Sequence, residues 1–88
     1  MDVSWLDKNQ DLPRMQLALD QARAASQDGE VPVGAVIWHP EMGVVAKARN
    51  SKETLRDPTA HAEILAIGQA AEAMGDWRLE GCTLCCTL

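Results

Sequence analysis

The sequence predicts a layered α/β fold whose elements follow the order helix, strand, strand, helix, strand. Apolar residues recur at helical spacing over residues 12–25, two short segments rich in β-formers follow, and a second helical segment precedes a final apolar segment. A helix between the second and third strands is a crossover connection, which favours a parallel pairing for the third strand. The 88 residues have room for a single domain. We expect one edge of the third strand to have no partner in the chain.

The first helix is predicted from apolar residues at spacings of three and four, which share one face. These are Leu12, Met15, Ala18, Leu19, Ala22 and Ala25. Asp11 is suited to cap this helix, Pro13 fits its first turn, and Gly29 is suited to end it. Residues 1–10 are polar, and we expect them to be frayed and flexible.

Two antiparallel strands are predicted next. Residues 33–38 form a short apolar run typical of a buried strand, residues 39–43 carry a turn signal, and residues 44–49 form the second strand. Alternation divides the second strand between two faces. One face carries Val44, Ala46 and Ala48 and continues to Asn50, and the other carries Val45, Lys47 and Arg49.

The second half of the chain predicts a loop, a helix and a strand. Residues 51–57 are polar and are interpreted as a loop, after which Pro58 and Thr59 open a helix that runs to Met74 and stops at Gly75. The apolar face of this helix is wide enough to lie on a sheet. Residues 82–88 are apolar or small on both faces, which is typical of a central strand covered on both sides.

Composition excludes several classes of protein. Thirteen acidic and eight basic residues give a net charge of −5, and the aromatic residues are three tryptophans, so a stand-alone nucleic-acid module built on aromatic stacking is not expected. The N-terminus does not read as a signal peptide, and residues 31–38 are far too short for a membrane-spanning helix. Three cysteines within the last seven residues cannot form a disulfide framework spanning the fold and indicate reduced cytosolic thiols.

The residues that point to chemistry are His61 and Glu63, at the start of the second long helix. Unpaired backbone N–H groups at a helix start favour an anionic oxygen. A neutral imidazole is a common zinc ligand, and a nearby carboxylate that does not bind the metal can move protons to and from the attacking water. A His-x-Glu pair is short enough to occur by chance, and an ordinary surface histidine and glutamate are the alternative interpretation.

The flanking residues decide between these interpretations, because four blocks resemble one family. They are residues 29–36, 48–50, 57–64 and 77–84. In this order and spacing they resemble the bacterial tRNA-specific adenosine deaminases of the cytidine deaminase superfamily, over nearly the whole chain from the first helix onward. The resemblance implies a cytidine deaminase-like α/β/α fold with a mixed sheet. It also implies a cytoplasmic, homodimeric, Zn²⁺-dependent enzyme that converts adenosine to inosine at the wobble position of a tRNA anticodon stem-loop.

The resemblance also assigns roles to site residues. His61 corresponds to the zinc-ligating imidazole and Glu63 to the proton shuttle that serves the purine ring nitrogen and the departing ammonia. The backbone of Ala62 corresponds to a hydrogen-bonding contact near the reacting centre.

Asn50 corresponds to the amide that reads the base, and Val33 and Pro32 line the same pocket in this interpretation. The alternatives are that Asn50 is a turn residue tolerant of unusual backbone angles and that Val33 is strand core. Four basic residues surround Asn50 in the sequence and either contact RNA phosphates or form a solvated loop. They are Lys47, Arg49, Lys52 and Arg56.

One departure from the family concerns the metal site. The superfamily completes its zinc site with a Pro-Cys-x-x-Cys motif, which this chain lacks. Cys82 and Cys85 have a matching spacing but point to opposite faces of a strand, as do Cys85 and Cys86. Chelation by Cys82 and Cys86, which share a face, would need a different backbone. Thr87 begins the family pattern Thr-Leu-Glu-Pro-Cys, so we expect the missing ligands beyond residue 88 and interpret the three cysteines as small apolar strand positions.

Residues 1–88 are therefore interpreted as part of a single deaminase domain, which we expect to bind zinc poorly and to be inactive by itself. One alternative function is deamination of a free base such as guanine or cytosine. Another is a non-catalytic truncated relative. Residues 29–32 and 77–84 favour the tRNA type, because they belong to the blocks that carry the resemblance.

Overall fold

The computed structural model describes residues 11–87, which form a three-stranded sheet with a long helix against each face. The elements are α1 (Asp11–Gln27), β1 (Gly34–His39), β2 (Gly43–Arg49), α2 (Lys52–Leu55), α3 (Ala62–Met74) and β3 (Thr83–Cys86). This confirms the layered α/β class. The predictions for residues 1–10, the Asp11 side chain and residue 88 lie outside what is described. Between residues 11 and 87, no helix combines the length and apolar character needed to cross a bilayer.

The sheet has the order β2-β1-β3, and β1 pairs antiparallel with both neighbours. The predicted parallel pairing of the third strand is therefore wrong. The crossover through α3 does return β3 in the direction of β2, but β1 lies between them and supplies the hydrogen bonds. The mixed character expected of the sheet is not found among these three strands. As expected, β3 has a partner strand on one edge within the described part of the chain.

Small side chains bring α3 close to one face of the sheet. Three alanines of α3 pack against the inward residues of β1 and β2, and short side chains let the helix backbone approach the strands. The buried members of this cluster are Val33, Ala35, Ile37, Ala46, Ala48, Ala62, Ala66 and Ala70. The end of α3 that bears the candidate site is thus anchored directly to the sheet.

The opposite face carries α1, with Ala18 packed against Val36 and Trp38. Gly34 sits beneath this helix, where an added Cβ would overlap the Ala18 carbonyl oxygen and lie 2.7 Å from the backbone nitrogen of Ala22. A glycine is therefore required here by the close approach of two backbones.

The predicted apolar face of α1 is only partly buried. Ala18, Ala22 and Ala25 are buried, which confirms the helical spacing, whereas Leu12 and Leu19 are 46% and 44% exposed. The two leucines lie at the margin of the contact because the sheet beneath α1 is only three strands wide in the described residues.

A β-bulge alters the predicted alternation in β2. Ile37 lies opposite Ala46 and Trp38 opposite Val44, so that Val45 is an extra residue. Val45 packs against the α3-side core and Val44 is 42% exposed, which reverses their predicted faces. Beyond the bulge the prediction is confirmed, since Ala46, Ala48 and Asn50 are all buried.

The third strand is shorter and less covered than predicted. β3 spans Thr83–Cys86, and Thr83 and Leu84 are exposed. The prediction of cover on both faces is therefore wrong for the first half of this strand in the described chain. Cys85 and Cys86 are half-buried.

The segment between β2 and α3 is more ordered than the predicted loop. It contains the short helix α2, and α3 begins at Ala62 instead of Pro58. The reason is a turn in which Asp57 Oδ1 accepts hydrogen bonds from Thr59 Oγ1 at 2.7 Å and Thr59 N at 2.8 Å. These two bonds hold the pKa of Asp57 below its ordinary value. The end of α3 is as predicted, because Gly75 caps it at φ 70°.

Candidate active site

The N-terminal end of α3 lies where β2 and β3 both end, because these two strands run in the same direction. Ser51 N, just after β2, donates a hydrogen bond to Ala60 O at 2.9 Å. Cys86, the last residue of β3, contacts Glu63 in the first turn of α3. Residues far apart in the sequence therefore meet at one end of one helix.

Asn50 is 4% exposed and connects β2 to the start of α3. Its Oδ1 accepts a hydrogen bond from Ala62 N at 2.7 Å, and its own backbone N donates to Val33 O at 3.1 Å. Ala62 N–H is one of the donors that a helix start leaves unpaired, so Asn50 satisfies it from twelve residues away. The side-chain carbonyl thereby faces the helix, and the amide NH₂ is the end suited to donate to a ligand.

The alternative interpretation of Asn50 as a turn residue is not supported. Among the described residues other than glycine, positive φ angles occur at Arg56 and Leu79 and not at Asn50. The backbone N–H of Ala62, which the resemblance assigns to a contact near the reacting centre, is the group that Asn50 binds in this structure.

His61 is the N-cap of α3, with an extended backbone at φ −74° and ψ 147°. Its carbonyl accepts the first helical hydrogen bond from Leu65 N, but its side chain makes no capping hydrogen bond. The half-buried imidazole is therefore not used to stabilise the helix end. Its ring nitrogens are of a type that can bind a metal ion or exchange a proton, and helix capping does not use them.

Glu63 is the second residue of α3 and is half-buried. Its Oε2 accepts a hydrogen bond from the thiol of Cys86, with an S···O distance of 3.5 Å. A carboxylate in the first turn is favoured by the partial positive charge of the helix N-terminus. An imidazole and a carboxylate thus stand at the start of the same helix, where the sequence analysis expects both residues.

Val33 and Pro32 differ in their surroundings. Val33 is 5% exposed and belongs to the core cluster with Ala62, so packing accounts for it fully. Pro32 is exposed. Val33 also touches the site through its carbonyl oxygen, which accepts the hydrogen bond from Asn50 N.

Glu30 is a supporting residue that sequence reasoning missed. It is 7% exposed, and its carboxylate accepts hydrogen bonds from Thr54 N at 2.8 Å, Thr54 Oγ1 at 2.9 Å and Glu53 N at 3.2 Å. Burial acts to raise the pKa of Glu30, but these hydrogen bonds outweigh it and lower the pKa. Glu30 thereby ties α2, which begins two residues after Asn50, to the loop after α1. No local sequence signal marks this role, because the partners of Glu30 lie 23 and 24 residues further along the chain.

The cysteines divide between the two faces of the sheet. Cys82 and Cys86 pack on the α3 side and Cys85 on the α1 side, which confirms the predicted alternation. Within residues 11–87, no group of three or more histidine, cysteine or acidic side chains is placed to hold a metal ion. His61 is a suitable zinc ligand by type, but the described residues do not form a complete donor set.

The four basic residues near Asn50 are not equivalent. Arg49 Nε lies 2.8 Å from Asp28 Oδ2, so one of the four charges is paired with an acid. Lys47 and Arg49 also line an open cleft of about 290 Å³ along the outer edge of β2. The other lining residues are Gln21, Ala48, Ser51, Leu55, Leu65 and Gln69.

Comparison with known proteins identifies relatives over most of the chain. Residues 8–88 match the family described as the cytidine and deoxycytidylate deaminase zinc-binding region. The chain is 50% identical over 74 residues to the tRNA-specific adenosine deaminase of Aquifex aeolicus (strain VF5), covering 84% of this chain and 48% of that protein.

Solved structures with the same fold include two kinds of deaminase. One comes from work on A-to-I editing by tRNA:A34 deaminases at the wobble position of transfer RNA, with 45% identity and a TM-score of 0.81 over 86% of this chain and 58% of that chain. The guanine deaminase of Bacillus subtilis is 32% identical, with a TM-score of 0.80 over 86% of this chain and 48% of that chain. The chain therefore spans about half the length of the relatives it matches.

Proposed function

The chain belongs to the cytidine and deoxycytidylate deaminase zinc-binding family, and from this we propose that the protein containing it deaminates adenosine to inosine at the wobble position of a tRNA anticodon. The observation that carries the proposal is the hydrogen bond from Ala62 N to Asn50 Oδ1, which brings Asn50 to the residue that lies between His61 and Glu63 in the sequence. Among the solved structures the tRNA deaminase is also more similar in sequence, at 45% identity, than the guanine deaminase, at 32%.

In this proposal His61 is one zinc ligand, and the remaining ligands come from residues outside this chain. Zinc, when bound, supplies Lewis acidity to the hydrolytic step. The His61 imidazole is suited to this role because the helix does not use it for capping. We expect residues 1–88 alone to hold zinc poorly, since the described residues do not form a complete donor set.

Glu63 moves the protons of the reaction. Adenosine and water give inosine and ammonia, so the attacking water must lose protons while the purine ring nitrogen and then the departing nitrogen gain them. A half-buried carboxylate in the first turn of α3 can accept and return a proton without leaving its position. General acid–base catalysis of this kind contributes about 10²–10⁴-fold to a rate.

Asn50 orients the base. Because Oδ1 is bound to Ala62 N, the amide presents its NH₂ group, which pairs with an acceptor atom on the edge of a purine. Buried polar groups discriminate strongly against ligands that leave them unpaired. The backbone carbonyl of Val33 accepts a hydrogen bond from the backbone N of Asn50 and so helps to fix the residue that carries this amide, and Pro32 stands beside Val33 at the surface.

We further propose that the protein is a cytoplasmic homodimer whose substrate is a tRNA anticodon stem-loop. Lys47, Lys52 and Arg56 are the basic residues near Asn50 that are suited to phosphate contacts, while Arg49 is held by Asp28. Phosphate contacts position a nucleic acid without specifying its sequence, so the choice of base rests on the pocket at Asn50.

Deamination of free guanine is the second candidate function. The guanine deaminase structure superposes with a TM-score of 0.80, nearly equal to the 0.81 of the tRNA deaminase structure. The fold therefore does not distinguish the two substrates. Free cytosine and a non-catalytic role are the remaining alternatives.

The complete protein should be incubated with an anticodon stem-loop bearing a wobble adenosine, and in parallel with free guanine and free cytosine. We expect inosine in the RNA, detected by mass spectrometry of its nucleosides, and no change in either free base. Turnover of guanine with an unchanged stem-loop would establish the second candidate instead. Absence of turnover on all three, with zinc present, would favour the non-catalytic relative.

A further inference from the structure

The thiol of Cys86 is the group that holds the carboxylate of Glu63. Its Sγ lies 3.5 Å from Glu63 Oε2 and donates a hydrogen bond to it across 23 residues of sequence. Both side chains are half-buried, and Cys86 packs against the same core cluster as α3. The contact therefore links the last residue of β3 to the first turn of α3.

The backbone at Cys86 and at the next residue is held by pairing with β1. Cys86 pairs with Ala35 of β1. At the next residue Thr87 N donates to Gly34 O at 3.0 Å, while Gly34 N donates to Thr87 Oγ1, also at 3.0 Å. Because two reciprocal hydrogen bonds close the end of the strand pair, Cys86 projects its thiol from a well-defined place. A donor that is itself fixed can fix the group that it binds.

We propose that Cys86 is a positioning residue for Glu63, in an inference that rests on the proposed role of Glu63 as proton carrier. Glutamate has three side-chain torsions, and its carboxylate has no fixed direction unless a neighbour binds it. With Oε2 held by the thiol, the direction of Oε1 is restricted as well. Small errors in the position of a catalytic group cost a large part of its effect.

The residue type at this position allows a sharp test. Serine keeps a hydroxyl donor but is smaller and more polar, whereas valine is close in size to cysteine and cannot donate. A purely structural role in the core would make Cys86→Val the better tolerated variant. A positioning role makes Cys86→Ser the better tolerated variant.

The experiment compares the complete wild-type protein with Cys86→Ser, Cys86→Val and the control Cys82→Val. Cys82 packs on the same face of the sheet, and its substitution tests for a general effect of removing a thiol. Inosine formation is measured on the stem-loop to separate kcat from KM, and crystal structures of the variants show the conformation of Glu63. Thermal unfolding of each variant checks that the fold is kept.

We expect Cys86→Val to lower kcat about threefold to tenfold with KM unchanged, which is the effect of one modest hydrogen bond. Cys86→Ser and Cys82→Val should stay close to wild type. Glu63 should occupy one conformer in wild type and Cys86→Ser, and more than one in Cys86→Val. A single Glu63 conformer and full kcat in Cys86→Val would overturn the inference.

The two readouts separate this inference from the proposed function. If the wild-type protein makes no inosine, the proposed function fails, while the number of Glu63 conformers still decides whether Cys86 positions this side chain. If the wild-type protein is active and Cys86→Val exceeds Cys86→Ser in kcat, the proposed function stands and the positioning role is wrong.

Discussion

The two ends of α3 are stabilised in different ways. At its C-terminal end Gly75 N and Asp76 N donate to carbonyls of the preceding turn, so the helix closes upon itself. At its N-terminal end Ala62 N is bound by Asn50 of another element, and Glu63 is bound by Cys86 of a third. The end with chemically useful residues is therefore the one that depends on distant parts of the fold.

This difference has a physical explanation. A C-terminal cap made of backbone hydrogen bonds needs only a residue that tolerates positive φ, such as Gly75. In the proposed function the N-terminal end offers an imidazole and a carboxylate to a ligand, so those side chains cannot also serve as its caps. Asn50 binds Ala62 N instead, and the His61 side chain makes no capping hydrogen bond.

The largest expected effect is that of Glu63→Gln in the complete protein. The amide cannot carry the proton, so inosine formation should fall by about 10²–10⁴-fold. The unfolding temperature should change little, because Gln keeps an oxygen that can accept the hydrogen bond from Cys86. Single-turnover rates and thermal unfolding measure both quantities. Near-normal turnover would show that another group carries the proton.

Asn50 variants test capping and base recognition separately. Asn50→Ala should lower the free energy of unfolding by about 1–3 kcal/mol, because a buried N–H at Ala62 loses its acceptor. Asn50→Asp keeps an acceptor oxygen and should lose less stability, but it lacks the NH₂ group and should lose as much kcat/KM. Chemical denaturation and stem-loop kinetics on the two variants supply the comparison. Equal free energies of unfolding for the two variants would contradict the capping role of Asn50.

The variant Gly75→Ala tests the C-terminal end of α3. A Cβ at this glycine would meet no atom within 4 Å, so the variant tests backbone strain alone at φ 70°. Unfolding free energy should fall by roughly 1 kcal/mol, since residues with a Cβ disfavour the left-handed conformation. Activity should be unchanged at a temperature where the variant is folded. A large loss of kcat would mean that the two ends are coupled.

The smallest expected effect concerns Glu30 and pH. The folded state lowers the pKa of this carboxyl, so its ionised form stabilises the fold above the ordinary glutamate pKa, and that contribution is lost as the pH falls through the lowered value. Glu30→Gln should therefore be less stable than wild type near neutrality, and the difference should shrink in acid. Thermal unfolding of both proteins from neutral to acidic pH measures it. A constant difference at every pH would contradict this assignment.

Sequence patterns predicted the parts of the molecule that depend on local periodicity. The spacing of three and four identified α1, alternation placed Ala48 and Asn50 on one face, and Pro58 and Thr59 predicted a helix start near His61 and Glu63. The shared face of Ala48 and Asn50 is buried, and α3 begins at Ala62. Strand alternation also predicted that Cys85 and Cys86 lie on opposite faces of the sheet, as the structure shows.

Most of the missed features depend on contacts between distant residues, and one depends on a local turn. The start of α3 at Ala62 follows from the turn at Asp57, and the face of Val45 follows from a bulge set by pairing with β1. Nothing in the local sequence indicates that Glu30 binds α2 or that β1 lies between β2 and β3. Long-range pairing decides the last three of these features, and local periodicity carries no information about it.

The most direct test of the account is the nucleoside composition of an anticodon stem-loop after incubation with the complete protein and with its Glu63→Gln variant. We predict that wild type converts the wobble adenosine to inosine and that Glu63→Gln leaves it unchanged over the same time. Inosine formed equally by both proteins would contradict the assignment of the chemistry to the N-terminal end of α3. An unchanged stem-loop beside deaminated guanine would contradict the assignment of the substrate.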